Sequence, residues 1–207
     1  MKQTLQHQYE TNAKQQDADL PKSFDDLQTL RYKNVLVRGK YLAQYQILLD
    51  NQVEGEVAGY HVITPLELVD RHQVILVDRG WIPALSNHSD LPVVETPGGE
   101  QEVRGEIWVP SQKFFTLKND DADEKKWKML WQNMDMKSYA KLVPFEIVPV
   151  VLRMSPDNAG GFVRNWVRPD DRIQTHLSYA YQWFGFAIAT LGIYIFVSFR
   201  RGKAFGK

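Results

Sequence analysis

Cysteine is absent from the 207 residues. Disulfide staples, CxxC redox chemistry, zinc knuckles, thiolate copper sites, iron–sulfur ligation and covalent c-type haem attachment are therefore excluded. Charge of one sign is also lacking. The 25 Lys and Arg balance 25 Asp and Glu, which leaves no net positive field to hold nucleic acid. The GxSxG, HExxH, Walker and GxGxxG signatures do not occur. Gly98-Gly99 and Gly160-Gly161 are isolated pairs that read as turns. The carboxylates Asp120, Asp121, Asp123 and Glu124 share one charged loop, Lys118–Lys128, and without burial they lack the split pKa values of an acid/base pair.

The mean hydropathy of −0.40 describes a soluble chain, yet it averages over a very uneven distribution. From Leu177 to Phe199 there are 23 residues without a charged side chain. As a helix this run is about 34 Å long, enough for a hydrocarbon core of about 30 Å. Tyr179, Tyr181, Trp183 and Phe184 cluster near its start, where amphipathic rings favour the headgroup level. Arg200, Arg201, Lys203 and Lys207 follow its end and, by the positive-inside rule, place that end in the cytoplasm. The expected organisation is a polar segment 1–26, an external β-rich domain 27–172, a transmembrane helix 173–200 and a cytoplasmic basic tail 201–207.

This orientation conflicts with the start of the chain. A folded outer domain needs a signal to begin translocation, but Met1–Leu20 is strongly polar. Either the domain stays in the cytoplasm on a tail anchor, or an apolar segment precedes Met1. The second is the expectation, and it predicts an in-frame apolar helix encoded upstream.

Between the ends the pattern is mostly that of strands. Lys33–Arg38 precedes Gly39, and Tyr45–Leu49 precedes the turn-forming Asp50-Asn51. Tyr60–Thr64 alternates until Pro65, which removes a ladder donor. Gln73–Trp81 holds the apolar run Val74–Val77, the mark of a strand covered on both faces. Glu102–Val109, Phe145–Arg153 and Gly161–Val167 are further candidates. Short strands punctuated by Gly and Pro predict an antiparallel sheet or small barrel in an α+β membrane-anchored chain. One helix stands out, Met136–Leu142, with Asp135 as N-cap and Met136, Tyr139, Ala140 and Val143 on one face. Val37-Arg38-Gly39 and Val103-Arg104-Gly105 echo each other, which chance or a shared bulge glycine explains better than a repeat.

Met129, Met134 and Met136 bring thioethers together, but no His lies nearby, so they read as core rather than a copper(I) site. Of five histidines, His7, His61, His72 and His88 read as surface or edge residues. His176 differs. It is the last titratable group before the apolar run, one turn from Tyr179 and Ala180 and two turns from Trp183 on the same face. An imidazole so placed suits either axial ligation of a membrane-soluble haem or a plain interfacial cap.

Three blocks carry a resemblance to a known family. They are Gly59-Tyr60-His61-Val62-Ile63-Thr64-Pro65-Leu66, then Ile75-Leu76-Val77-Asp78-Arg79-Gly80-Trp81-Ile82-Pro83, and His176-Leu177-Ser178-Tyr179-Ala180-Tyr181-Gln182-Trp183-Phe184. In order and spacing the chain resembles the surfeit locus protein 1 family, membrane-anchored assembly factors of haem–copper cytochrome c oxidase. The resemblance implies a non-enzymatic chain with one external β-rich domain between two membrane helices, the first of which has no counterpart here. It implies haem a as a transient cofactor, with His176 as its candidate ligand and Tyr179 and Trp183 beside it. The implied partners are oxidase subunit I, other oxidase assembly factors and the lipid bilayer, in a bacterial inner membrane with the main domain periplasmic. Asp78 stands where the family pattern leads one to expect an amide. Arg79 has two readings, pairing with a carboxylate inside the domain or holding a haem propionate. Gly80 is free to take unusual dihedrals, and if its φ is positive Gly80→Ala should damage the domain.

Overall fold

The computed structural model describes residues 8–12, 17–87, 90–111, 127–160, 162–166, 178–179 and 181–194. It divides into two compact units, His7–Asn165 and a second formed by Met1–Gln6 with Trp166–Lys207. The first unit takes in β1 (Ala18–Asp19), α1 (Leu27–Leu30), β2 (Asn34–Tyr41), a 3-10 turn (Ala43–Tyr45), β3 (Ile47–Glu54) and β4 (Val57–Leu68). It continues with β5 (Val74–Pro83), β6 (Glu100–Trp108), β7 (Leu130–Trp131), α2 (Met136–Leu142) and β8 (Ile147–Met154). The polar N-terminal segment contributes to it: β1 lies parallel to β2, and Leu20 enters the core.

Five strands close a ring. β2 is antiparallel to β4 and to β6, β4 is antiparallel to β5, and β6 is antiparallel to β8. The last seam, β5 against β8, is parallel. Numbered by chain order within the ring, the strands run 1-2-3-5-4-1 with the third and fifth parallel, the Greek-key arrangement of the OB-fold. The expected small β-rich barrel is present, with one parallel seam that alternation alone does not announce. β5 lies inside that seam, which is why Val74–Trp81 is buried throughout.

Three boundary expectations change with the tertiary pairing. Pro65 does not end β4, because its missing N–H falls where the strand changes neighbour, from β3 (last partner Ile63) to β2 (first partner Leu66). Asp50-Asn51 is not a terminal turn but an irregularity within β3, with Asn51 at φ 57°. Residues 161–167 provide no strand among the described residues, only a bridge from Val163 to Trp81. Gly39 and Gly105, the paired Val-Arg-Gly glycines, share a steric role: a Cβ at either would run into the backbone carbonyl of a neighbouring strand, Glu67 or Arg153.

Neighbouring residues of β5 enter separate cores. Ile75 and Val77 join Val35, Val37, Val103, Ile107, Val150 and Leu152. Leu76 joins Ile47, Leu49, Ile63 and Val151 under α2. Asp135 caps α2 as expected, accepting from Lys137 N and Ser138 N. Tyr139 is fully buried and donates from its hydroxyl to Tyr45 O at 2.8 Å. Trp127 and Phe145 meet Tyr45 edge-on at 5.7 and 5.1 Å. The segment before β4 and the one between β6 and β8 thus close over the β4–β5 face, which in OB barrels receives ligands. Met134 is core as expected, while Met129 and Ala140 are exposed.

In the second unit residues 181–194 are helical with exposed apolar side chains, among them Trp183, Phe184 and Ile188. Residues 173–177, 180 and 195–200 of the expected transmembrane helix lie outside the described residues. Among the described residues, no helix is long and apolar enough to cross a membrane.

Candidate functional site

The first two sequence blocks are partner strands. His61 faces Trp81 and Ile63 faces Asp78, so Val62 alone opposes Arg79 and Gly80. Arg79 follows Ile75 and Val77 on the face toward the barrel core, and Gly80 at the bulge takes φ 118°, which meets the condition under which its replacement by alanine should damage the domain. A strap of residues 162–165 lies on it. Trp81 N donates to Val163 O at 2.7 Å, Val163 N returns a bond to Trp81 O at 3.1 Å, and Arg164 Nε donates to Arg79 O at 2.9 Å. A Cβ on Gly80 would lie 2.7 Å from Val163 O and 2.9 Å from both Phe162 Cβ and Arg164 Cγ. The Arg-Gly-Trp block is therefore a grip on the strap that ends the barrel unit.

Arg79 is 4% exposed, and its expected carboxylate partner is not what holds it. Its Nη2 donates to Glu95 O at 2.9 Å, and its Nη1 donates to Gln46 Oε1 at 3.2 Å and Thr96 Oγ1 at 3.4 Å. Gln46 Oε1 also accepts from Thr64 Oγ1 at 2.8 Å. The guanidinium sits 4.8 Å from the Phe162 ring centroid and 5.4 Å from that of Tyr41, a cation–π sandwich of two rings. Burial lowers the pKa of Arg79, opposed by Tyr41. Burial likewise pushes Tyr41 up to about 12, against the pull of Arg79 and Arg164.

The other side of the bulge carries a second polar group. Asp78 is buried and accepts from Gly80 N at 3.2 Å. Both of its carboxylate oxygens lie within reach of His61 Nδ1, at 3.0 and 2.9 Å. His61 is thus no ordinary edge residue but the partner of a buried carboxylate. The register continues the row: Asp78 faces Arg153, Arg153 faces Glu106, and Glu106 faces Asn34. Burial lowers the Arg153 pKa, while Asp78 and Glu106 act in the opposite direction. Arg153 also stacks 4.5 Å from the Trp108 ring centroid. The sequence signal for this row was an aspartate after Ile-Leu-Val. Its meaning depends on a cross-strand pairing that single-strand reading does not supply.

The sequence-derived site residues fall in different units. Arg79 belongs to the barrel; Tyr179 and Trp183 are exposed in the second unit; His176 lies outside the described residues. His7 and His88 also lie outside them, and His72 is exposed. Among the described residues no group of three or more His, Asp or Glu is placed to hold a metal ion.

These features define a class: a five-stranded OB-type barrel with its usual ligand face covered by its own segments, whose third ring strand grips the strap that leads to an apolar C-terminal helix. The comparisons with known proteins make this specific. The SURF1 family matches residues 1–188, and the chain belongs to that family. It is 25% identical over 186 residues to Surfeit locus protein 1 of Takifugu rubripes, covering 83% of this chain and 75% of that protein. A SURF1-like protein of Monosiga brevicollis is 25% identical over 211 residues, covering 95% and 78%. A SURF1-like protein of Rickettsia conorii is 24% identical over 184 residues, covering 80% and 69%.

Proposed function

We propose that this protein is a non-enzymatic, membrane-bound assembly factor for haem–copper cytochrome c oxidase, binding or handing over haem a during maturation of subunit I. Family membership across residues 1–188 is the observation that carries the reading. The third block, His176–Phe184, supports its haem part. Its partners would be oxidase subunit I, other assembly factors and the bilayer. The barrel would face the periplasm and the basic tail the cytoplasm of an inner membrane. The exposed apolar side chains of residues 181–194 support the membrane part.

The chemistry of the residues fits the group. The imidazole of His176 would supply a nitrogen to the haem iron, and the exposed rings of Tyr179 and Trp183 would offer flat surfaces to the macrocycle. Haem a, when bound, supplies the redox-active iron that the oxidase needs. Arg79 serves differently in this reading. Three of its N–H donors go to Gln46, Glu95 and Thr96, and its guanidinium lies against the Phe162 ring of the strap, so it serves the barrel interior rather than a propionate.

The test is to purify the full chain from cells that make haem a and compare absorption spectra with His176→Ala. Loss of the haem band and a fall in assembled oxidase support the reading. Unchanged haem content with a fall in oxidase on deleting the whole protein favours an oxidase scaffold that binds no haem. Normal oxidase without the protein overturns both.

A further inference from the structure

The inner side of the Arg79 bulge carries a charge that its own residues leave unmet. Every hydrogen bond of Arg79 ends on a neutral oxygen, and among the described residues the groups acting on its charge are Tyr41 and the like-charged Arg164. Arg164 places its donors on backbone carbonyls, those of Arg79, Ser155, Pro156, Asn158 and Ala159. Asp78 is the one carboxylate among the described residues that acts on Arg164, and it is already engaged by His61 and by Gly80 N. Two buried guanidiniums therefore stand together, one with no carboxylate acting on it among the described residues and the other with only a committed one, an arrangement that low-dielectric surroundings penalise.

A second observation falls at the same place. The Tyr41 hydroxyl is buried and has no hydrogen-bond partner among the described residues. Native interiors leave few such groups unsatisfied, and an unseen water or ion is the usual reason. Tyr41 is not itself the missing negative charge: with burial holding its pKa at about 12, the oxygen carries its proton at neutral pH and is a donor. A water would satisfy the hydroxyl but leave the positive charge. An anion satisfies both.

We propose that a small monovalent anion, chloride in the cell, binds at the Tyr41 hydroxyl beside the Arg79 and Arg164 guanidiniums. The phenol donates to it, and its charge neutralises the excess of the pair. Tyr41, Arg79 and Arg164 are each under 10% exposed, so the ligand they call for is a small anion rather than a bulky carboxylate. The site locks the bulge and its strap, so the anion acts as a structural ligand. None of its residues belongs to the 176–184 block, so it stands or falls apart from the haem reading.

The experiment is thermal unfolding of the full chain in detergent at fixed ionic strength, with chloride exchanged for gluconate. The wild-type midpoint rises with chloride, by roughly 3–5 °C per tenfold increase above the dissociation constant. Tyr41→Phe, which removes one oxygen and keeps the ring, flattens this response. Crystals soaked in bromide show an anomalous peak within hydrogen-bond reach of Tyr41 Oη. Equal wild-type midpoints in chloride and gluconate, a chloride response undiminished in Tyr41→Phe, or a water alone at the phenol each overturn the proposal.

Discussion

Replacing Gly80 by alanine adds one methyl group at the point where β5 grips the strap. The backbone there has φ 118°, outside the regions open to L-residues, which costs on the order of 1–3 kcal/mol. The new Cβ would also stand 2.7 Å from Val163 O and 2.9 Å from Phe162 Cβ and Arg164 Cγ, so the strap must retreat. Retreat weakens the two Trp81–Val163 bonds and the Arg164–Arg79 bond, each about 1 kcal/mol. The expected destabilisation is about 3–4 kcal/mol, a fall in melting midpoint of roughly 6–12 °C for a chain of this size. Circular dichroism melts measure it, and limited proteolysis reports whether the chain opens near Phe162. Gly98→Ala is the control, because nothing lies within 4 Å of its Cβ. A Gly80→Ala protein within about 1 kcal/mol of wild type would refute the grip.

Two further outcomes follow from the buried polar groups. His61→Ala leaves the buried Asp78 carboxylate without its imidazole and is expected to cost about 2 kcal/mol in urea unfolding; Asp78→Asn in the same chain recovers part of that loss, and strictly additive effects would show that the pair is not coupled. Alkali should unfold the protein in a way that Tyr41 dictates. Its phenol ionises near 10.0 when unfolded and near 12 when folded, so between those values the unfolded state loses the proton first and stability falls with rising pH, by about 2–3 kcal/mol. Tyr41→Phe removes that share of the slope, while the buried Tyr139, raised for the same reason, keeps its own; an unchanged slope in Tyr41→Phe would sink the assignment.

The legible parts of this chain are those that depend on a residue and its near neighbours. Alternation and apolar runs announced the existence of every long strand, but ends were off by up to five residues, as at β3 and β4, and the neighbours each would choose were not visible. Asp135 announced the cap of α2, whereas the freedom of Gly80 was visible but the sign of its φ was not. Arg79 stood out as a candidate, but its expected carboxylate is replaced by the oxygens of Gln46, Glu95 and Thr96, which lie between 16 and 33 positions away. His61 passed as an edge residue because its partner is 17 positions distant, on the next strand.

Period and turn chemistry, read along the chain, settled that this protein is β-rich and that it carries a long uncharged C-terminal run, while its family was legible only through the resemblance of three blocks to known proteins. Local dihedral preferences and hydrophobic burial act at that range. Closure into a barrel, the parallel β5–β8 seam, the passage of β4 through Pro65 and the internal destination of Arg79 were decided only when distant strands met. The reason is that pairing register and the fate of a buried charge are properties of neighbours in space, which no window along the sequence contains.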